Sequence, residues 1–148
     1  MMKYPGVFDK TLQKTVHWCE RVAHHMGSSD VTRGYRVLRS VLHALRDRLP
    51  PDEAGQLGAQ MPMFVRGFYY EGWDAGKEPQ RYRNREEFLA RIANDVPDLD
   101  PIQRERAATA VFAVIDEEIC GGEAKQIRRL LPEEIRELWH RADAAKPA

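Results

Sequence analysis

Apolar side chains recur along this chain at steps of three and four residues, the spacing of one face of an α-helix. The first such stripe predicts a helix over about residues 8–26, and the second predicts a longer helix that begins after Asp30. Both stripes are expected to face a core. Their members are Phe8, Leu12, Val16, Cys19, Val22 and Met26 in the first helix, and Tyr35, Leu38, Val41, Leu42, Leu45 and Leu49 in the second.

The two halves of the chain are similar to each other. Residues 18–69 align with residues 88–139 at a constant offset and without a gap, and the apolar positions of the two copies coincide. Identical pairs include Asp30 with Asp100, Glu53 with Glu123, Pro62 with Pro132, and Arg66 with Arg136. Two predicted helices begin after an aspartate, which is a favoured N-cap residue. The alignment therefore predicts a duplicated helical unit.

No stretch alternates apolar and polar residues long enough to predict a strand. The expected fold is all-α, with two tandem, internally repeated units of three to four helices each packed into one bundle-like domain. The two units are expected to pack either around a pseudo-two-fold axis or side by side. The predicted boundaries are 8–71 for the first unit, 72–85 for a linker, 86–141 for the second unit and 142–148 for a frayed tail.

Composition places few limits on function. The chain has 148 residues, of which 43% are hydrophobic, and its 23 Lys and Arg balance its 23 Asp and Glu. Two cysteines do not make a disulfide framework, and neither an apolar signal segment nor an 18-residue apolar run is present. A single cytoplasmic domain without a membrane span is therefore expected.

The neutral total hides an uneven distribution of charge. Residues 1–49 carry nine Lys and Arg against four Asp and Glu, whereas residues 50–100 carry six against ten. Part of this asymmetry comes from one face of the second helix, here called the basic stripe, whose members are Arg33, Arg36, Arg39, His43 and Arg46. Such a face can bind phosphates. It can equally be a solvated face, or dock on Asp116, Glu117 and Glu118.

Aromatic residues cluster at positions 64–73, where the last predicted helix of the first unit, beginning near Pro62, runs into the linker. Phe64, Phe68 and Tyr69 are expected in the core, while Tyr70 and Trp73 lie where the helix passes into the linker and could contact a partner.

Two further sets of polar residues were considered for chemistry. Arg66 and Arg136 lie in otherwise apolar helices and are expected to pair with an acidic partner such as Glu53 or Glu123, because an unpaired buried charge is costly. The residues His17, Glu20 and His24 have the spacing of helical metal ligands, but nearby cations oppose a metal site.

No motif for nucleophilic, phosphate-loop or paired-carboxylate chemistry is present. We therefore expect no catalytic residue, no metal and no cofactor.

Two segments carry a resemblance to a known family. Residues 43–50 (HALRDRLP) and 56–73 (QLGAQMPMFVRGFYYEGW) resemble those of a bacterial family of small helical proteins, domain of unknown function 2267. The similarity extends from about Trp18 to Trp139. It implies a bacterial, soluble, all-helical protein, and it assigns no activity, cofactor or catalytic residue.

The function that the sequence favours is a non-catalytic helical module that binds a protein partner or a second copy of itself. The expected binding residues are the basic stripe together with Tyr70 and Trp73. The alternative is nucleic-acid binding through Arg33, Arg36, Arg39 and Arg46.

Overall fold

The structure is a computed structural model and describes residues 3–144. Within that range the backbone forms eight α-helices and no strand, which confirms the all-α prediction. The helices are α1 (Val7–His25), α2 (Val31–Arg48), α3 (Pro51–Ala59), α4 (Met63–Tyr70), α5 (Arg85–Asp95), α6 (Pro101–Glu118), α7 (Gly121–Arg129) and α8 (Glu133–Ala144).

The two long helices begin in the same way. Asp30 and Asp100 are their N-caps, and each side chain accepts a hydrogen bond from a backbone N–H of the first turn, at 3.2 Å from Arg33 and 2.8 Å from Gln103. Pro101 follows the second cap, at a position where the missing N–H costs nothing. The short polar cap residues therefore fix where α2 and α6 start.

The helix bounds agree with the alignment of the two copies. Helices α6 and α7 begin and end at the positions that align with the bounds of α2 and α3. Helix α8 begins at the position that aligns with the start of α4. Each predicted unit thus contains four helices in the same order.

The two units pack around a pseudo-two-fold axis. Helix α1 of the first unit packs on α6 of the second, and α5 of the second packs on α2 of the first. Equivalent helices also meet across the axis, α2 with α6 and α3 with α7. Such reciprocal contacts are what a two-fold relation requires. Of the two arrangements left open by the sequence, these reciprocal contacts favour the first.

One hydrophobic core serves both units. Its aromatic centre is a stack in which the Phe112 ring lies between Phe88, at 6.0 Å, and Trp139, at 4.4 Å between centroids. All three side chains are fully buried. Burial of each such side chain contributes roughly 1.5–3 kcal/mol, and all three belong to the second unit, which the stack therefore stabilises.

The linker is packed against the domain. Residues 71–84 contain no helix, yet Tyr82 is buried and its hydroxyl donates to the Ala44 carbonyl of α2 at 2.7 Å. The backbone N–H of Gln80 donates to the Asp47 carbonyl at 2.6 Å. The segment between the units therefore lies along α2.

The predicted frayed tail begins too early. Helix α8 continues to Ala144, Ala142 is buried, and the Asp143 carboxylate accepts a hydrogen bond from Arg128 at 2.7 Å. Burial and this ion pair hold the last turn in place. The remainder of the predicted tail, 145–148, lies outside the described residues.

Candidate interaction surface

The outer part of the basic stripe is bound to acidic residues. Arg33 and Arg36 both donate to the Asp98 carboxylate, at 3.3 and 3.1 Å, and Arg39 donates to Glu71 at 3.1 Å. Asp98 lies in the loop that follows α5, and α5 packs on α2. These partly exposed pairs stabilise the fold by at most about 1 kcal/mol each. Phosphate binding here would first have to break them.

His43 lies inside the protein. Its Nε2 is 2.6 Å from the Phe68 carbonyl oxygen, which can only accept, so the ring nitrogen donates. Burial lowers the pKa of His43, and the neighbouring Arg46 and Arg39 charges lower it further, although the Phe68 carbonyl opposes this shift. The neutral imidazole therefore donates a hydrogen bond to α4. His43, although a member of the predicted binding face, is buried.

Arg46 is the most buried arginine of the stripe, with 4% of its surface exposed. Its Nη1 donates to the carbonyls of Tyr69 and Glu71, both at 2.8 Å, and its Nε donates to Asp47 at 2.9 Å. The last carbonyls of a helix have no partner within it. The Arg46 guanidinium therefore closes the C-terminal end of α4.

Asp47 links this arginine to Arg91 of α5, whose Nη2 donates to it at 2.7 Å. Burial by itself raises the pKa of the Asp47 carboxyl, but the two guanidinium groups outweigh burial and hold its pKa below the usual 3.8. The carboxylate therefore contributes stability above about pH 4, and this contribution is lost as the pH falls through the lowered pKa.

We expect Asp47→Asn to lower the free energy of unfolding at pH 7 by about 1–3 kcal/mol, since hydrogen bonds to charged groups are lost. The difference from the wild type should shrink below about pH 4, because the carboxyl of the unfolded chain is protonated there, and it should be lost once the pH falls through the lowered pKa of the folded protein. Urea titrations of both proteins at pH 7 and pH 3 measure this. Equal differences at the two pH values would contradict the role given to this carboxylate.

The acidic end of α6 binds α1 and not the basic stripe. Glu117 accepts from Arg21 at 3.1 Å and from His25 at 2.6 Å, and Glu118 accepts from His17 at 2.7 Å. The alternative in which the stripe docks on these acids is therefore wrong. The reason is that the C-terminal end of α6 lies against α1, whereas the outer part of the basic stripe faces Asp98 after α5 and Glu71 after α4.

Asp116 has partners of its own. Its carboxylate accepts from the Trp139 indole at 2.9 Å and lies 3.6 Å from the Arg128 guanidinium. Burial raises the pKa of Asp116, and the nearby Asp143 carboxyl raises it further. This acid therefore belongs to a buried cluster between α6 and α8.

Tyr70 and Trp73 pack against the first unit. The Tyr70 hydroxyl donates to the Gly55 carbonyl at 3.3 Å, and its ring lies 5.3 Å from that of Trp73. Both side chains are half-buried against the core. The edge predicted as a partner surface therefore exposes only part of each ring.

The expected pairing of Arg66 with Glu53 is also wrong. The Arg66 side chain donates to backbone carbonyls instead, at 3.1 Å to Gly58 and 3.0 Å to Met61. These carbonyls lie in the last turn of α3 and just beyond it, where the helical hydrogen-bond pattern ends, and the Gly58 carbonyl also accepts the Met61 N–H at 3.1 Å. Arg66 therefore caps α3.

The structure does not pair Arg136 with Glu123 either. One carboxylate oxygen of Glu123 is buried and has no hydrogen-bond partner among residues 3–144. Burial raises the pKa of Glu123, and the charge of Glu53 raises it further. The two glutamates therefore lie near each other where α3 meets α7 across the axis.

The largest exposed apolar feature was missed by the sequence analysis. Tyr4, Phe8, Leu12 and Val16 follow one another at steps of four along α1 and its start, and they are 52%, 39%, 39% and 41% exposed. The Tyr4 and Phe8 rings stack at 6.1 Å. The stripe predicted over residues 8–26 thus faces the core only in its C-terminal half.

The start of α4 extends this surface. The backbone N–H of Phe64 donates to Thr11 Oγ1 of α1 at 3.3 Å, and Met63, Phe64 and Val7 are all exposed. We call the seven exposed side chains the α1–α4 apolar surface. Its members are Tyr4, Val7, Phe8, Leu12, Val16, Met63 and Phe64.

The second unit has no such surface. Glu133 and Glu134 occupy the positions of Met63 and Phe64 and are exposed, and Glu134 accepts a hydrogen bond from the first N–H of α5, at Arg85. Arg85 aligns with position 15, so α1 begins well before the point where its counterpart begins. The two copies differ at these positions, apolar in the first and acidic in the second, and this difference is the sequence signal for the surface.

Residues 3–144 contain no group of three or more His, Cys, Asp or Glu side chains able to hold a metal ion, and the His17 ring forms a hydrogen bond with Glu118. None of the helices in this part of the chain is long and apolar enough to cross a membrane.

Comparison with known proteins gives a family and no activity. No curated protein matches the chain. The family described as "Uncharacterized conserved protein (DUF2267)" matches residues 15–138, which include all of the fold from the middle of α1 to the middle of α8. The chain therefore belongs to the DUF2267 family.

Proposed function

We propose that this protein is a non-catalytic helical interaction module whose docking surface is the α1–α4 apolar surface and whose partner is a second copy of the chain. The observation that carries the proposal is the exposed stripe on the N-terminal half of α1. Exposed apolar patches of this kind mark interaction sites in proteins that are otherwise well packed.

The area of the surface fits a weak dimer. A fully exposed aromatic side chain offers about 150–250 Å², so the seven partly exposed side chains leave on the order of 500 Å² of apolar surface uncovered. Two copies would then bury roughly 1,000 Å² in total, the lower end of specific interfaces. An interface of this size is typical of weak, transient association.

Helical geometry favours a second copy as the partner. Side chains at steps of four form ridges that interdigitate when two such helices cross at about −50°. On α1, Lys10 and Lys14 are turned away from Phe8 and Leu12 by roughly half a turn, given about 100° per residue. Pairing two α1 helices along the stripe therefore brings no lysines together.

Leu12→Glu is expected to weaken self-association by at least about 100-fold, because two carboxylates would be placed in an apolar interface. Leu12 is 39% exposed in the single chain, so its replacement should leave the fold intact. Sedimentation velocity of both proteins over a range of concentrations measures the effect, and thermal unfolding checks the fold.

Ile102→Glu is the matched control. Ile102 is 80% exposed at the start of α6 and is not part of the α1–α4 apolar surface. This variant should dimerise like the wild type. A wild-type chain that remains monomeric at a few hundred micromolar, or equal effects of the two substitutions, would rule out the proposed dimer.

A further inference from the structure

A basic groove of about 250 Å³ lies between α7 and α8. It is lined by five side chains, Lys125, Arg128, Arg129, Arg136 and His140. The charge of Arg128 is balanced, because its guanidinium contacts the Asp116 and Asp143 carboxylates at 3.6 and 2.7 Å. The other four side chains make no hydrogen bond or ion pair with any part of residues 3–144.

In the first unit, a tyrosine ring fills the equivalent space, and only one of the five aligned residues is charged. In the alignment of the two units, the groove residues correspond to Gly55, Gly58, Ala59, Arg66 and Tyr70. The Tyr70 ring lies directly over the glycines: its hydroxyl donates to the Gly55 carbonyl, and a Cβ at Gly58 would lie 2.4 Å from its oxygen. Arg66 is bound to the α3 carbonyls. Packing of this helix pair therefore does not require the groove.

Local structure accounts for only part of the basic cluster. Arg129 lies in the last turn of α7, where a cation interacts favourably with the helix dipole. Lys125, Arg136 and His140 have no such explanation. Like charges gathered without acidic partners repel one another and destabilise the fold, so a bound anion would relieve this repulsion.

We propose that this groove binds the di- or triphosphate group of a small molecule. Lys125, Arg129 and Arg136 together bring three permanent positive charges, which a single carboxylate would not balance. Guanidinium groups match phosphate oxygens with paired N–H donors. The groove is also smaller than the roughly 300–1,000 Å³ of pockets that enclose drug-sized ligands, which suits a compact anion.

A compact anion fits better than an extended one. Glu133, Glu134 and Glu137 are exposed on α8, the helix that supplies Arg136 and His140. A nucleic-acid strand that ran along this helix would pass all three carboxylates, whereas a short phosphate group in the groove would lie near one of them at most, Glu133, which is three residues before Arg136.

The test is a calorimetric titration of the full chain with tripolyphosphate at low salt. We expect one site per chain, and we expect the double variant Arg129→Gln/Arg136→Gln to bind at least about 10-fold more weakly. Arg129→Gln alone, at an exposed position, serves if the double variant proves unfolded in a thermal scan. The control is Lys10→Gln/Lys14→Gln, which removes two exposed cations of α1 and should leave the affinity unchanged.

Three outcomes would overturn the proposal. They are the absence of binding at millimolar tripolyphosphate, an equal loss of affinity in the control variant, and tighter binding of a 20-nucleotide single strand than of tripolyphosphate in the same buffer. The last result would assign the cations to nucleic acid. A nucleoside triphosphate added as a further titrant should compete with tripolyphosphate for the same site.

Discussion

Replacement of Arg46 by methionine is expected to lower the free energy of unfolding by about 3 kcal/mol or more. The substitution keeps much of the side-chain volume but removes every donor. It leaves the carbonyls of Tyr69 and Glu71 without their partner and Asp47 with Arg91 alone. Equilibrium urea unfolding at pH 7 measures the change.

The control for this prediction is Arg39→Met, about two helical turns away on the same stripe. Arg39 forms a single ion pair with Glu71, and its side chain is 33% exposed. Its replacement should cost less than about 1 kcal/mol. Comparable decreases in the free energy of unfolding of the two variants would contradict the stabilising role given to the buried hydrogen bonds of Arg46.

Arg46→Lys refines the comparison. An ammonium group is a point charge without the planar fork of guanidinium, so it is not expected to reach Asp47 and two carbonyls at once. This variant should fall between the wild type and Arg46→Met. Such a result would show that Arg46, the most buried arginine of the basic stripe, stabilises the C-terminal end of α4.

Gly34→Ala is expected to destabilise the protein by about 2–4 kcal/mol, although alanine favours helix over glycine by about 1 kcal/mol. The α1 and α2 backbones approach closely at this point. A Cβ at position 34 would lie 2.1 Å from the Cys19 carbonyl oxygen and 3.3 Å from the Ala23 side chain. The first contact is with backbone, so relief requires the two helices to move apart.

Gly67→Ala is the opposite case and the control for helix propensity. Gly67 lies within α4, and an added Cβ there would meet nothing within 4 Å. This substitution should stabilise the protein by about 0.5–1 kcal/mol. Thermal and urea unfolding of both variants test the pair, and a stabilising Gly34→Ala would show that the α1–α2 crossing is looser than described.

The close approach at Gly34 belongs to the first unit. The counterpart of Gly34 in α6 is Arg104, whose side chain donates to the Leu99 carbonyl at 3.1 Å. A side chain of that size excludes an equally tight crossing at this point between α5 and α6. The two units thus contain equivalent helices in the same order, but they differ in how closely the first two helices of each unit pack.

The two proposed surfaces lie on different units and can be tested separately. The α1–α4 apolar surface belongs to the first unit, and the basic groove lies between α7 and α8 of the second. Leu12→Glu should therefore leave tripolyphosphate binding unchanged, and Arg129→Gln should leave self-association unchanged. Failure of either proposal does not affect the other.

Local features of the chain were sufficient to predict its helices. Apolar periodicity located the first two helices, and Asp30 and Asp100 marked the starts of the two long ones, because N-capping depends on a single short side chain and the next turn. The alignment of the two copies anticipated the equivalent helices of each unit, since equivalent sequence forms equivalent local hydrogen bonds.

The sequence did not show which residues of the predicted binding face are buried, and the reason is geometric. Periodicity gives the face of a helix on which a residue lies, but not the depth of that face in the folded protein. Arg33 and Arg46 share a face, yet one binds an exposed aspartate and the other is buried beneath α4. In the same way, Phe8 and Val22 share a stripe, yet Phe8 lies beyond the helices that cover Val22.

The amino-acid sequence by itself determined the helices, their caps and the similarity of the two units, because these depend on interactions within a few residues. The tertiary structure decided the pseudo-two-fold arrangement, and with it the pairing of charges. It placed Glu117 against Arg21 and Asp98 against Arg33, and it left one end of α1 and most of the α7–α8 groove without partners among the described residues. Contacts between residues far apart in sequence depend on how helices cross, and that is a property of the whole fold.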